Sequence, residues 1–353
     1  MSRFIEERLG RINEYVPGEQ PQDKKYIKLN TNESPYPPPA NVTEAVGKKE
    51  IEDLRLYSDP ECRLLKEKLA EIYGVKPGNM FISNGSDEVL NFAFMCYGHK
   101  GASFADITYG FYIVFAELYG IDADIIPLKD DLTIDPADYF NKGRLVVIAN
   151  PNAPTGMLMS LADVKAILEN NTDDVVIVDE AYVDFGGESA LSLLAEHDNL
   201  LVVRTFSKSR SMAGARLGFG IADEAIIRDL EKIRYSTNPY NINRITQITG
   251  LRALENDGYF MDNCRRIIDT REYVTEELRK MGFFVTDSRT NFVFARSDDI
   301  GGAELYEALK ERGILIRHFS IPRIRDFNRI TIGSREEMEI FLENVREILA
   351  KKE

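Results

Sequence analysis

A lysine, an aspartate, an arginine and a run of small polar residues each follow a short apolar stretch in this chain. Lys208 ends Thr205-Phe206-Ser207-Lys208, directly after the apolar run Leu200–Arg204. Asp179 opens Asp179-Glu180-Ala181-Tyr182, after Asp174–Val178. The two lie 29 residues apart, which leaves room for one helix and one strand. Both are therefore expected at the same edge of one sheet, where open parallel sheets bind ligands. Arg216 lies eight residues beyond Lys208, in Ala213-Gly214-Ala215-Arg216. Met80–Ser83 runs into Asn84-Gly85-Ser86-Asp87 and then a helical pattern. A helix N-terminus offers free N–H groups and the positive end of a dipole, which suits a phosphate. Gly85 lets the backbone come close and Ser86 adds a hydroxyl. Taken alone, this last motif is also that of a serine N-cap without a ligand, and Asp179 alone is also a solvated loop carboxylate.

Together they have one economical explanation. A lysine amine of lowered basicity condenses with an aldehyde. An aspartate against a pyridine nitrogen keeps it protonated, so that the ring draws electrons. Pyridoxal phosphate carries the aldehyde, the pyridine nitrogen and a phosphate. Lys208 then holds the aldehyde and Asp179 the ring nitrogen, while Gly85, Ser86, Ser207 and Arg216 cradle the phosphate. Charge-assisted hydrogen bonds of that kind contribute roughly 1.5–3 kcal/mol each.

The elements that must hold these residues are legible from periodicity. Helical spacing covers Glu61–Tyr73, Asp87–Tyr97, Phe111–Leu118, Leu161–Glu169 and Glu224–Ile233. Between them fall strand-like runs at Met80–Ser83, Ala102–Asp106, Asp124–Pro127, Arg144–Ala149, Asp174–Val178, Leu200–Arg204 and Gly218–Ile221. Leu145-Val146-Val147-Ile148 and Val175-Val176-Ile177-Val178 are apolar on both faces, the mark of parallel strands covered on both sides. This predicts an α/β fold with a doubly wound, mostly parallel sheet. After about Asn241 two long helices are expected, Ile242–Glu255 and Tyr259–Met281. Short strands at Phe283–Asp287, Asn291–Ala295, Ile314–Arg317 and Arg329–Ile332 follow, with further helices, as a smaller α+β domain. The proline-punctuated start reads as a helix and an extended arm. The expected division is an arm over 1–35 packing on the small domain, a large domain over 36–245 and a small domain over 246–353.

Composition narrows the function classes. With 44 basic against 58 acidic residues the net charge is −14, a poor basis for binding nucleic acid or an anionic membrane. Cys62, Cys96 and Cys264 are far apart and the three histidines lack ligand spacing, so neither disulfides nor a metal site is expected. No run approaches the roughly 18 apolar residues of a membrane span, and the charged N-terminus lacks the apolar core of a signal peptide. A cytoplasmic location is the expectation. A dinucleotide-binding dehydrogenase is not expected, because no G-x-G-x-x-G follows a strand.

Read in order, Leu29-Asn30-Thr31-Asn32-Glu33, Asn84-Gly85-Ser86-Asp87-Glu88, Pro154-Thr155-Gly156, Asp179-Glu180-Ala181-Tyr182 and Ser207-Lys208 with Gly214-Ala215-Arg216 resemble the pyridoxal-phosphate aminotransferases of fold type I. Within the class-II family they look like the branch acting on histidinol phosphate, over nearly the whole chain. The resemblance implies that Lys208 holds the cofactor and moves the proton, Asp179 pairs with the ring nitrogen and Tyr182 meets the ring hydroxyl. It places Tyr109 on the ring face, where a plain core aromatic is the alternative. Ser86, Asp87, Thr205, Ser207 and Arg216 would surround the phosphate. Tyr57 would reach the cofactor phosphate of a neighbouring subunit, making a homodimer. Arg329 would fork the substrate α-carboxylate, and Arg317, otherwise a surface strand charge, would stand near the substrate phosphate. Tyr15 and Asn32 would close over the site from the arm.

One departure is plain. The family places asparagine directly before Pro-Thr-Gly, and here that position is Ala153, with Asn152 one residue back as the candidate replacement. Arg323 and Arg325 are open between an anionic substrate tail and solvent. The implied reaction is a ping-pong transamination between histidinol phosphate and 2-oxoglutarate, in histidine biosynthesis. The alternatives are an aromatic amino donor, decarboxylation of phosphothreonine on the same scaffold, or a non-catalytic binding module.

Overall fold

The computed structural model describes residues 2–351. Its strands, in chain order, are β1 (Ile27–Lys28), β2 (Met80–Ser83), β3 (Ala102–Ala105), β4 (Ala123–Ile126), β5 (Leu145–Ala149), β6 (Val176–Asp179), β7 (Leu200–Thr205), β8 (Gly218–Ala222), β9 (Phe284–Val285), β10 (Phe292–Arg296), β11 (Ile314–Leu315), β12 (Arg317–His318) and β13 (Phe327–Thr331). β2 to β8 form one seven-stranded sheet in the order β2-β8-β7-β6-β5-β3-β4. β4, β3, β5, β6 and β7 run parallel, and β8 is antiparallel to both its neighbours.

The central strands are buried on both faces because they are apolar at every position up to their carboxyl ends, where Asp179 closes β6 and Arg204-Thr205 close β7. Val146 and Ile148 of β5, Val176 and Val178 of β6, and Leu200 and Val202 of β7 face one core, shared with helices 63–73, 161–169 and 244–254. Their alternating neighbours Leu145, Val147, Ile177, Leu201 and Val203 face a second core, under helices 86–97, 111–119 and 224–237. The period of two thus divides an unbroken apolar run between two helical layers. The fold is α/β, of the doubly wound kind predicted.

A second body follows. The 24-residue helix Asp257–Lys280, with helices 302–311 and 335–350, covers the four-stranded sheet β12-β13-β10-β9. Its own core gathers Cys264, Ile267, Val274, Val293, Ile330, Phe341 and Leu342. The arm enters it through β1, which pairs in parallel with β11. An apolar seam joins this body to the large sheet, with Phe294, Ile324 and Phe327 against Ala105, Ile107, Leu128 and Leu132.

The N-terminal helix expected from sequence does not form. A single 3-10 turn at Leu9–Arg11 is all that stands there. Gly10 disfavours propagation, and the segment is held by side chains instead. The Arg8 guanidinium donates to the Leu118 carbonyl, and the Asn13 N–H donates to Glu117 Oε2 at 2.9 Å. No helix among the described residues is long and apolar enough to cross a membrane.

Candidate active site

The carboxyl ends of β3, β5, β6 and β7 open into a cavity of about 820 Å³. Its walls come from the arm, the large sheet and the second body together. Tyr15, Asn32, Ser86, Asp87, Tyr109, Asp179, Tyr182, Thr205, Ser207, Lys208, Arg216, Arg317 and Arg329 all line it.

Asp179 is the last residue of β6, in register with Val203 of β7. Lys208 follows three residues after β7 ends, which puts amine and carboxylate in the same cavity. Asp179 Oδ2 accepts the Tyr112 hydroxyl at 2.8 Å, and Oδ1 accepts the Ala181 N–H at 3.2 Å. Burial pushes its carboxyl up to about 6, despite those two donors. A carboxylate buried this way is stabilised by a nearby cation, such as a protonated ring nitrogen. Lys208 Nζ donates to the Thr31 carbonyl at 3.2 Å and stands 5.8 Å from the centre of the Tyr182 ring. The Tyr182 hydroxyl in turn accepts from Asn32 Nδ2 at 2.8 Å.

The segment carrying Lys208 is tied down from below. Arg204 pairs with Asp184, Arg210 reaches Asp184 at 3.8 Å and Asp257 at 2.7 Å, and both guanidiniums are nearly fully buried. Breaking such a buried network is strongly destabilising, because it leaves an uncompensated charge. It fixes the backbone on either side of Lys208.

The phosphate corner is built around helix Ser86–Tyr97. Gly85, its N-cap, has φ +78°, and a Cβ there would lie 2.5 Å from Arg216 Nη2. Only glycine lets that guanidinium come so near the helix start. Arg216 itself has φ +53°, rare for a non-glycine residue and a mark of functional positions. Asp87 accepts Arg216 Nη2 at 3.0 Å and the Tyr109 hydroxyl at 2.7 Å. Its carboxylate is thereby engaged, so its contribution to an anion is the helix-start N–H. Ser207 Oγ accepts from Thr205 Oγ1 at 2.9 Å beside it.

Across the cavity, Arg329 leaves β13. Its Nη2 donates to the Asn30 carbonyl at 2.9 Å, while its buried Nε has no partner among the described residues. Burial lowers its pKa from the ordinary value. An unsatisfied buried guanidinium N–H is costly, and a carboxylate offered to it would repair that. Arg317 donates to the Val16 and Pro17 carbonyls at 3.0 and 3.2 Å. Tyr15 stacks on Phe111, with ring centres 4.3 Å apart.

One site expectation needs correction. Asn152 does not face the cavity. Its Nδ2 donates to the Ile107 carbonyl and Thr155 Oγ1, and its Oδ1 accepts Thr108 Oγ1, so no donor is left for a ring hydroxyl. Arg323 is not on the cavity wall; part-exposed, it grips Asp106 at 2.6 Å, and Arg325 is exposed. Tyr57, expected at a neighbouring subunit's site, lies outside this chain's own cavity, 78% exposed and stacked on Tyr240 at 4.4 Å. Tyr112 was missed, because a tyrosine inside an apolar helix face reads as core. The usable signal is that a fully buried tyrosine hydroxyl needs a partner. Phe319 and His318 on the cavity wall carried no sequence signal.

This fold and site define a class. The sequence profile of the class I and II aminotransferases matches residues 24–345, and the chain belongs to that family. More particularly, its relatives include a histidinol-phosphate aminotransferase of Brachyspira hyodysenteriae, 48% identical over 99% of both chains. Another, from a Marinomonas species, is 51% identical over 96% of this chain and 97% of its own. Among solved structures, histidinol-phosphate aminotransferase of Sinorhizobium meliloti in complex with pyridoxal-5'-phosphate has a TM-score of 0.83 at 25% identity, covering 93% of this chain and 92% of that one. Aspartate aminotransferase of Thermotoga maritima, at 23% identity and a TM-score of 0.79 over 93% and 92% of the two chains, shares the fold.

Proposed function

We propose that this chain transaminates histidinol phosphate and returns the amino group to 2-oxoglutarate, using pyridoxal phosphate held on Lys208. The observation that carries it is the meeting of Lys208, the buried Asp179 carboxyl and the incompletely satisfied Arg329 guanidinium in one cavity. The residues fit the cofactor: Lys208 for its aldehyde, Asp179 for its ring nitrogen, Tyr182 for its ring hydroxyl, and Ser86, Ser207 and Arg216 with the helix start for its phosphate. When bound, pyridoxal phosphate supplies an electron sink for the charge left as the Cα proton departs.

The chain's own groups do the rest. Lys208 Nζ, once displaced by the donor amine, would take the Cα proton as base and, as acid, deliver it to the carbon that had carried the cofactor's aldehyde oxygen. Its bond to the Thr31 carbonyl keeps the amine on the arm side of the cavity. Asp179 holds the proton on the ring nitrogen, and Tyr112 keeps that carboxylate oriented. Arg329 suits the α-carboxylate of 2-oxoglutarate as a planar fork. Histidinol phosphate has no carboxylate, so its phosphate is assigned to the space between Arg329 and Arg317. The arm, carrying Tyr15 and Asn32, excludes water from above.

The exposed Tyr57, with Leu54, Leu56 and Tyr240 exposed nearby in sequence or by stacking, fits a homodimer in which Tyr57 serves the neighbouring site. The three free cysteines suit a reducing cytoplasm.

A half-reaction screen tests the substrate. Histidinol phosphate, phenylalanine and phosphothreonine are mixed singly with holoenzyme while the cofactor spectrum is followed. Histidinol phosphate is expected to react at least about tenfold faster than phenylalanine, because its phosphate offers Arg329 and Arg317 more charge and more acceptor oxygens than a single carboxylate does. A faster reaction with phenylalanine, or CO₂ release from phosphothreonine, would replace this reading with a different donor or a decarboxylase.

A further inference from the structure

We infer that Arg323 is a positioning residue for the transamination: it clasps the segment 317–326, whose first five residues line the cavity, to the large sheet and sets how that wall of the cavity stands against the wall carrying Tyr109. The inference deepens the proposed function and rests on the aminotransferase activity.

Arg323 sits on the short turn Pro322–Ile324. Its Nη1 donates to Asp106 Oδ2 at 2.6 Å, and its Nη2 to the Leu128 and Lys129 carbonyls at 2.9 and 3.1 Å. Two edges of one planar fork are thus met by groups beyond the carboxyl ends of β3 and β4, a geometry that lysine does not reproduce. Asp106 is itself held, since its Oδ1 accepts the Leu128 N–H at 2.9 Å. The clasp therefore joins two fixed points.

Each point leads straight to the cavity. Asp106 is three residues before Tyr109. On the other side, Arg317 and Phe319 lie on the cavity wall four to six residues before Arg323. Directly after it, Ile324 is buried in the apolar seam between the two bodies. Apolar contact is non-directional and leaves such a seam free to slide. The charged fork gives it a register. With side chains 37% and 23% exposed, the pair is screened enough that its loss should shift the wall without unfolding the chain.

The test compares Arg323→Gln, Arg323→Lys, Asp106→Asn and the double variant Arg323→Gln/Asp106→Asn as cofactor-loaded enzymes. The glutamine and asparagine variants should each raise KM for histidinol phosphate about tenfold with kcat within about twofold. The double variant should be no worse than either single one, and Arg323→Lys should fall between, keeping the charge without the fork. Amide exchange of residues 317–326 should quicken in both single variants. If Asp106→Asn leaves KM unchanged while Arg323→Gln raises it, Arg323 touches substrate directly and the clasp is wrong. Loss of kcat and cofactor together would also overturn it, as a general defect of folding. Unchanged exchange at 317–326 overturns it whatever the substrate. A wild-type enzyme idle with histidinol phosphate would instead strike the donor assignment, and the exchange measurement would still read the clasp.

Discussion

Lys208→Ala is expected to lower turnover by roughly 10⁴-fold or more and to remove the visible absorption that marks covalently held cofactor. The size follows from two losses at once, the only lysine amine on the cavity wall among the described residues and the base that moves the Cα proton. The chain should still fold, since Lys208 makes one hydrogen bond to the Thr31 carbonyl and its backbone is fixed by the Arg204–Asp184–Arg210 network. Retention of activity would remove the catalytic assignment. The same variant tests the dimer. Mixed with Tyr57→Ala chains, it should recover activity, because a hybrid contains one site with Lys208 from one chain and Tyr57 from the other. Failure of hybrids to exceed the sum of the two parents would place Tyr57 outside the neighbouring site.

Asp179→Asn is expected to lower kcat by roughly 10²–10³-fold, with a smaller effect on KM, because the charge that holds the ring nitrogen protonated acts most when the Cα proton leaves. Tyr112 can still donate to the amide oxygen, so the local geometry is kept and the charge is what changes. A pH signature goes with it. In the chain alone the Asp179 carboxyl, raised by burial, titrates at about 6. Below that pH it is neutral and above it anionic, so cofactor affinity for the wild-type chain should rise as pH increases through about 6. The asparagine variant should lack that step. A variant that keeps both wild-type kcat and the step would show that Asp179 does not serve the ring.

The legible part of this protein lies where local pattern and long-range position coincide. Leu145–Ala149 reads as a two-sided strand because every residue is apolar, and the structure buries all five. The same logic places Asp179 and Lys208, since polar residues that end such runs must come out at the sheet edge. Where a partner is remote in sequence, the pattern is silent. Arg323 looks like any loop charge until Asp106, 217 residues earlier, is beside it. Asn152 resembles a ligand residue by its neighbours, but Thr108 and Ile107 consume its amide. Tyr112 follows the helical apolar stripe, and only the position of β6 gives its hydroxyl a partner. The failed N-terminal helix is the converse case. The stretch ahead of the prolines reads as a helix, but Gly10 and contacts to 117–118 favour a pinned coil.

Reductive trapping puts the central claim to its most direct trial. Holoenzyme is treated with borohydride, digested, and each lysine peptide is weighed. The peptide containing Lys208 should alone gain the mass of a reduced pyridoxyl phosphate. A label on any other lysine, or an active enzyme with none, would contradict the site described for this chain.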